Sequence, residues 1–154
     1  MINESISEIS IKSMKISDLP RILEIERQSF SDSWTYSMFY SEITKNRYAN
    51  YFVLERENEI IGYFGIWHKG NSFHITNIAI SKKFRRMGYG GKILRFLEEM
   101  AISHKIKKIS LEVRKSNYIA QNMYKKYGYE IIKILRNYYQ KDKADALFME
   151  KQLS

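Results

Sequence analysis

Ile75-Thr76-Asn77-Ile78-Ala79-Ile80, then Ser81-Lys82-Lys83-Phe84, then Arg85-Arg86-Met87-Gly88-Tyr89-Gly90-Gly91, leads into an amphipathic run from Lys92 to His104. The opening part reads as an apolar strand. In the closing run Ile93, Leu94, Leu97, Met100 and Ala101 recur at helical spacing, so that run is a helix with one buried face. A helix N-terminus leaves backbone N–H groups unpaired and carries partial positive charge, so an anion docks there wherever it can approach the backbone. Gly88, Gly90 and Gly91 are expected to give that access, and Arg85 and Arg86 the charge. No dinucleotide fingerprint G-x-G-x-x-G with its following acidic residue is present, and no G-x-x-x-x-G-K-[ST] string. For the loop taken alone, a plain glycine-rich turn with surface arginines stands as the alternative.

The chain of 154 residues fits one domain, 1–154, since the usual unit is about 100–200 residues. It has no cysteine, which excludes disulfides and thiolate metal sites. No apolar run approaches the roughly 18 residues of a membrane span, and Met1 to Ser10 lacks a basic-then-apolar signal pattern. The expectation is a cytoplasmic protein with no membrane partner. The formal charge of +9 permits an anionic cofactor or work close to ribosomal RNA. The lysine excess is spread thinly, as at Lys105, Lys107, Lys125 and Lys143, and a biased genome composition would account for it equally well.

Outward from the glycine loop, Ile9 to Met14 alternates apolar and polar as a strand does, and Ser17 or Asp18 can cap a helix with Pro20 in its first turn. Thr35 can cap a second helix from Tyr36 to about Lys45. A hairpin from Tyr51 to Trp67 and a turn at Gly70-Asn71 lead to the strand ending at Ile80. After the third helix, Lys108 to Arg114 is a strand, Ser116 can cap a fourth helix ended by Gly128, and Tyr129 to Leu135 and Ala146 to Met149 are strands. The order describes a mixed α/β domain: a central, mostly antiparallel sheet of about seven strands flanked by four helices.

A second site lies beyond the loop. On the strand Ser110 to Arg114, Glu112 faces away from Leu111 and Val113. A carboxylate in an apolar strand is costly unless paired or working, and a salt bridge to Arg114 or a lysine is one way to pair it. Asn117, Ala120, Gln121 and Tyr124 share one face of the following helix. For Tyr124 alone, core packing is the simpler reading. His68, His74 and His104 fall on separate elements and make no metal pattern, although His74 could serve as a second base.

The segment Leu111 to Asn117 with Met123 to Tyr129, the pattern Arg85-x-x-Gly88-x-Gly90, Asn77 to Ile80, Phe30 with Trp34, Arg136 to Tyr139 and Asp145 to Met149 together resemble the GNAT family, the Gcn5-related N-acetyltransferases. The branch resembled is the ribosomal-protein-alanine N-acetyltransferases. The resemblance implies acetyl transfer from acetyl-CoA, without metal, to the N-terminal amine of a ribosomal protein, small-subunit protein eighteen. By resemblance Ile78, Ala79, Ile80, Arg85, Arg86, Met87, Gly88, Tyr89, Gly90, Gly91, Asn117 and Tyr124 bind the cofactor, and Trp34, Asn77, Glu112, Tyr138 and Tyr139 the peptide. Glu112 is the candidate base and Tyr124 the candidate acid. Ser72-Phe73 and Tyr89 depart from the family's usual residues. A GNAT enzyme acting on a small amine or an internal lysine, and a non-catalytic basic RNA-binding module, stay as alternatives, and the sequence leaves oligomeric state open.

Overall fold

The computed structural model describes residues 8–153, so most of the reading of Met1 to Ser10 lies outside the described residues. Strands β1 (Ile9–Ser13), β2 (Ala49–Arg56), β3 (Glu59–Lys69), β4 (Ser72–Ile80), β5 (Lys108–Arg114), β6 (Glu130–Leu135) and β7 (Ala146–Gln152) form a single sheet in the order β1-β2-β3-β4-β5-β7-β6. Helices α1 (Leu19–Ser29), α2 (Tyr36–Lys45), α3 (Tyr89–Ser103) and α4 (Tyr118–Lys126) cover it. Every neighbouring pair is antiparallel except β4 with β5, which are joined through α3. The expected mixed α/β sheet is therefore present, strand for strand.

Two cores lie on opposite faces. Ile93, Leu94, Leu97 and Ala101 of α3 pack with Phe64, Ile75, Leu111 and Met149. Leu19, Ile22 and Ile25 of α1, with Phe39 of α2, pack on Tyr51, Val53, Tyr63 and Ala79. Strand β4 serves both cores because it is bulged. Gly65 pairs with Asn77 and Ile66 with Ile75, leaving Thr76 as the extra residue. An extra residue reverses the facing of everything after it. Phe73 and Ile75 thus belong to the α3 side, whereas Asn77 and Ala79 turn toward α1 and α2.

Local starts and stops differ in places from expectation. Thr35 caps α2 as expected, its hydroxyl accepting from the Met38 N–H at 3.2 Å. Asp18 stands at the N-cap of α1, but its carboxylate accepts from the Lys15 N–H at 2.8 Å. The cap of α4 is Asn117 and not Ser116, with Oδ1 accepting from the Ala120 N–H at 3.1 Å. Helix α3 begins at Tyr89, earlier than Lys92, because Gly88 takes φ +85° and turns the chain directly into the helix.

A Cβ on Gly65 would lie 2.2 Å from the Tyr51 ring, whereas one on Gly70 would meet nothing within 4 Å. Gly65→Ala is expected to lower stability by about 1–3 kcal/mol through overpacking. Gly70→Ala, at φ +57°, is expected to cost only the left-handed penalty of about 1 kcal/mol. Urea unfolding of the two variants measures the difference.

Candidate active site

The parallel ladder between β4 and β5 ends at Ile75 and Leu111, although β4 runs on to Ile80 and β5 to Arg114. The strands part there and open a cleft of about 1150 Å³. Into it converge Glu26 of α1, Trp34 of the loop after α1, and His74, Asn77 and Ile78 of β4. Glu112 of β5, Asn117 and Tyr124 of α4, and Tyr138 and Tyr139 of the loop before β7 complete it. Ladder alternation decides which β4 groups are free. The Ser81 N–H donates to Ile61 O of β3, so Ala79 and Asn77 also point their backbone groups at β3, and Ile78 points its own at the open edge.

Glu112 lies on the face opposite Leu111 and Val113, as alternation requires, and its partner is not Arg114. Oε1 accepts from His74 Nε2 at 2.9 Å, and His74 Nδ1 lies 2.7 Å from Ser110 Oγ. With a carboxylate on one ring nitrogen, the consistent assignment has the Ser110 hydroxyl donating to Nδ1 and Nε2–H donating to Glu112. Tyr138 also hydrogen-bonds Glu112, and burial followed by that charge raises its phenol above the ordinary value. Glu112 is thus held from two sides, by a histidine that the sequence offered only as a second base.

Tyr124 approaches from the other face of the sheet, on the α4 side, 5% exposed and packed against Tyr129. Its hydroxyl takes no hydrogen-bond partner among the described residues. Burial raises its pKa, with a smaller contribution from Tyr139, so the phenol keeps its proton across neutral pH. Burial likewise pushes Tyr139 up to about 12.

The glycine loop sits at the mouth of α3, outside the cleft lining, and several of its residues also make contacts within the protein. Arg85, although exposed, bonds to its own chain: Nε donates to Ile80 O at 2.9 Å and an Nη to Ser29 Oγ at 3.0 Å, tying the loop to α1. A Cβ on Gly90 would lie 2.7 Å from Met123 Sδ, and one on Gly91 2.2 Å from the Tyr127 hydroxyl. These two glycines therefore allow α3 to pack against α4. Only Gly88, with nothing within 4 Å of its would-be Cβ, gives the open approach. The N–H groups of Tyr89, Gly90 and Gly91 occupy the first turn, where helix geometry supplies no acceptor, and the cap offers none. Arg86 and Met87 are exposed beside them, while Tyr89 packs on the α3 core and Ala79 is buried under α1 and α2.

Arg114 builds the lip of the cleft. Its guanidinium donates to Asp142 at 2.9 Å, to Asp32 at 3.2 Å and to Ser31 Oγ at 3.1 Å, and lies 4.1 Å over the Tyr139 ring. The hydrogen bond from Arg114 is the main cause that holds Asp142 below its usual value. Lys141 Nζ donates to Ser31 O at 3.2 Å across the same gap.

Glu26 was missed as a site residue. It lies on the buried stripe of α1 with Ile22 and Ile25, and a charged residue at a core position was the available signal. Among the described residues no His, Cys, Asp or Glu cluster could hold a metal, and no helix is long and apolar enough to cross a membrane.

The sequence profile described as the acetyltransferase (GNAT) family matches residues 19–129. A Bacillus subtilis (strain 168) protein, named provisionally as a ribosomal protein bS18-alanine N-acetyltransferase, is 38% identical over 93% of this chain and 95% of its own length. An N-alpha-acetyltransferase of Sulfurisphaera tokodaii is 31% identical over 95% of this chain and 94% of its own. Among solved structures, the ribosomal-protein-S18-alanine N-acetyltransferase from Escherichia coli superposes with a TM-score of 0.87 at 26% identity, covering 96% of this chain and 95% of that one.

Arg114→Ala is expected to speed amide hydrogen exchange of Tyr139 and Lys143 by about tenfold or more, because the lip opens locally. Global stability is expected to fall by only about 1 kcal/mol, since each ion pair is partly solvated. Exchange mass spectrometry with urea unfolding measures both.

Proposed function

The chain belongs to the acetyltransferase (GNAT) family, and from that premise we propose that it moves the acetyl group of acetyl-CoA to the α-amine at the N-terminus of a ribosomal protein, with small-subunit protein bS18 the acceptor. The relatives named for N-terminal and bS18-alanine acetylation support the acceptor class. The observation that carries the chemistry is the placement of Glu112 and Tyr124 on opposite faces of the sheet, both bordering the one opening where β4 and β5 part.

Acetyl-CoA supplies an activated acetyl thioester and an anionic diphosphate. The unpaired N–H groups of Tyr89, Gly90 and Gly91, the open approach over Gly88 and the nearby Arg86 suit the diphosphate. Asn117 gives its oxygen to the Ala120 N–H, which leaves its amide N–H₂ for the pantetheine arm beside Ala120.

A peptide α-amine titrates near 7.7–8.0 and attacks only when neutral. Glu112 takes the proton, directly or through a water, and His74 with Tyr138 keeps its carboxylate aimed into the cleft. The free Ile78 N–H is placed for the oxyanion that forms when nitrogen attacks the carbonyl carbon. As the C–N bond forms and the C–S bond breaks, Tyr124 gives its proton to the departing thiolate and recovers one from solvent or from the proton taken at the amine. Both substrates are present together, so no acyl-enzyme is formed. Trp34, Tyr138 and Tyr139 wall the acceptor side, and Asn77 lies at its floor. Glu26 and Asp32 provide carboxylates on that side even though Ser72 and Phe73 do not. This reading makes the protein cytoplasmic and metal-independent, with the whole chain one domain and its net charge of +9 suited to work beside ribosomal RNA.

Glu112→Gln and Tyr124→Phe are each expected to lower kcat by about 10²–10⁴-fold, the range for a lost general base or acid. Both should keep acetyl-CoA binding, read as an unchanged thermal shift. Mass spectrometry with ribosomal-protein peptides should find acetyl on free N-termini and none on blocked ones. Full rates in both variants at saturating substrate, or acetylation of lysine in blocked peptides, would overturn the assignment.

A further inference from the structure

Glu26 is 1% exposed and yet borders the acceptor side of the cleft. Its carboxylate accepts from the Trp34 backbone N–H at 2.9 Å, from the Tyr63 hydroxyl and from the Asn77 side chain. Among the described residues no cation pairs with it. The groups around it are Tyr63 of β3 and Tyr51 of β2. The Tyr51 hydroxyl lies 3.5 Å from Asn77 Oδ1, donates to Glu42 of α2 at 3.0 Å and accepts from Thr76 Oγ1 at 2.9 Å. Glu42 in turn accepts from Trp67 Nε1 at 2.7 Å.

A buried carboxylate is an expensive way to satisfy one backbone N–H, and an apolar residue would fill the same stripe of α1 at lower cost. What the carboxylate adds is simultaneous contact with Trp34 and Asn77, two residues of the acceptor end that come from different elements. Ionised, it accepts all three donors. Protonated, the oxygen facing Tyr63 becomes a donor and the Tyr63 hydroxyl must turn to accept, while a neutral acid accepts from Trp34 and Asn77 more weakly than a carboxylate does.

We propose that Glu26 is a positioning residue for the acceptor end of the cleft, whose ionised form holds Trp34 and Asn77 in the arrangement that receives the peptide and whose protonation loosens it. The proposal rests on the acetyltransferase reading above for what the cleft receives. Burial is the main cause that raises Glu26 from 4.5 to about 7, and the Trp34 and Asn77 donors oppose it. The switch therefore falls in the neutral range. The sign for stability follows: the folded protein keeps a proton that the unfolded chain loses near 4.5, so Glu26 destabilises progressively as pH rises from about 4.5 to about 7.

The experiment labels the two tryptophans with fluorotryptophan and follows the Trp34 resonance by fluorine NMR from acid to alkaline pH, with Trp67→Phe to assign it. A titration with a midpoint near 7 is expected, absent in Glu26→Gln. Tyr63→Phe removes a donor to the ionised form and is expected to move the midpoint upward, which keeps the test open should Glu26→Gln unfold. In kinetics, the peptide KM is expected to rise about tenfold or more on acidification through neutrality, with the acetyl-CoA KM unmoved, and Glu26→Gln is expected to keep only the smaller pH dependence that the peptide amine's own titration gives. A wave that survives Glu26→Gln would belong to another group. That survival, an unshifted midpoint in Tyr63→Phe, or an unchanged pH dependence of the peptide KM in Glu26→Gln would overturn the proposal. The NMR arm needs no acceptor, so a protein that acetylates no peptide would refute the function without deciding the role of Glu26.

Discussion

One constraint shapes this molecule: β4 and β5 can pair only as far as Ile75 and Leu111. Just beyond that point β4 bulges at Thr76, opposite Gly65 and Ile66, and its later residues change sides. A bulge increases local twist and bends the strand that carries it, so it turns β4 away from β5 at the place where their ladder stops. The same event does two further things. It brings His74, Thr76 and Asn77 together on the acceptor side, and it leaves the Ile78 backbone groups facing the opening. Gly65 makes the bulge possible for the Tyr51 ring, whose hydroxyl then meets Thr76 and Glu42.

The opening has unlike walls, and the difference follows from which core lies behind each. On the α3 and α4 side the packing is apolar and dense, and a phenol such as Tyr124 is kept neutral by burial. The α1 and α2 side carries carboxylates supported by donors: Glu112 by His74 and Tyr138, Glu26 by Trp34, Tyr63 and Asn77, Glu42 by Tyr51 and Trp67. In the reaction proposed, an amine arriving from that side would find proton acceptors, and a leaving group on the other would find a proton donor. Opposite demands on two titratable groups are met by opposite surroundings.

The sequence made the element order legible throughout, because alternation in the strands and helical spacing in Ile93, Leu94, Leu97 and Ala101 are local signals. Glu112 and the face shared by Asn117 and Tyr124 were legible for the same reason. The bulge was not: Thr76-Asn77 looks like any continuation of a strand, and the extra residue exists only in the pairing with β3. His74 as the partner of Glu112 required knowing that β4 lies parallel to β5 with His74 opposite Ser110, a long-range fact. Two of the loop glycines carry a packing role that is not legible locally, because helix packing and ligand access both call for a missing side chain. Gly90 and Gly91 answer to Met123 and Tyr127, residues more than one element away. Arg85 likewise has a fold role that is not legible locally, since its guanidinium donates to Ile80 O and, across to α1, to Ser29 Oγ while keeping its charge.

The account turns on whether the parted strands and the mouth of α3 hold one ligand between them. Amide proton NMR of the full chain during a titration with coenzyme A measures this residue by residue. The account predicts that the Ile78 amide shifts together with those of Tyr89, Gly90 and Gly91, at one common dissociation constant, while β1 and β2 amides stay still. Silence at Ile78 and at the first turn of α3, with the shifts falling elsewhere on the protein, would contradict it.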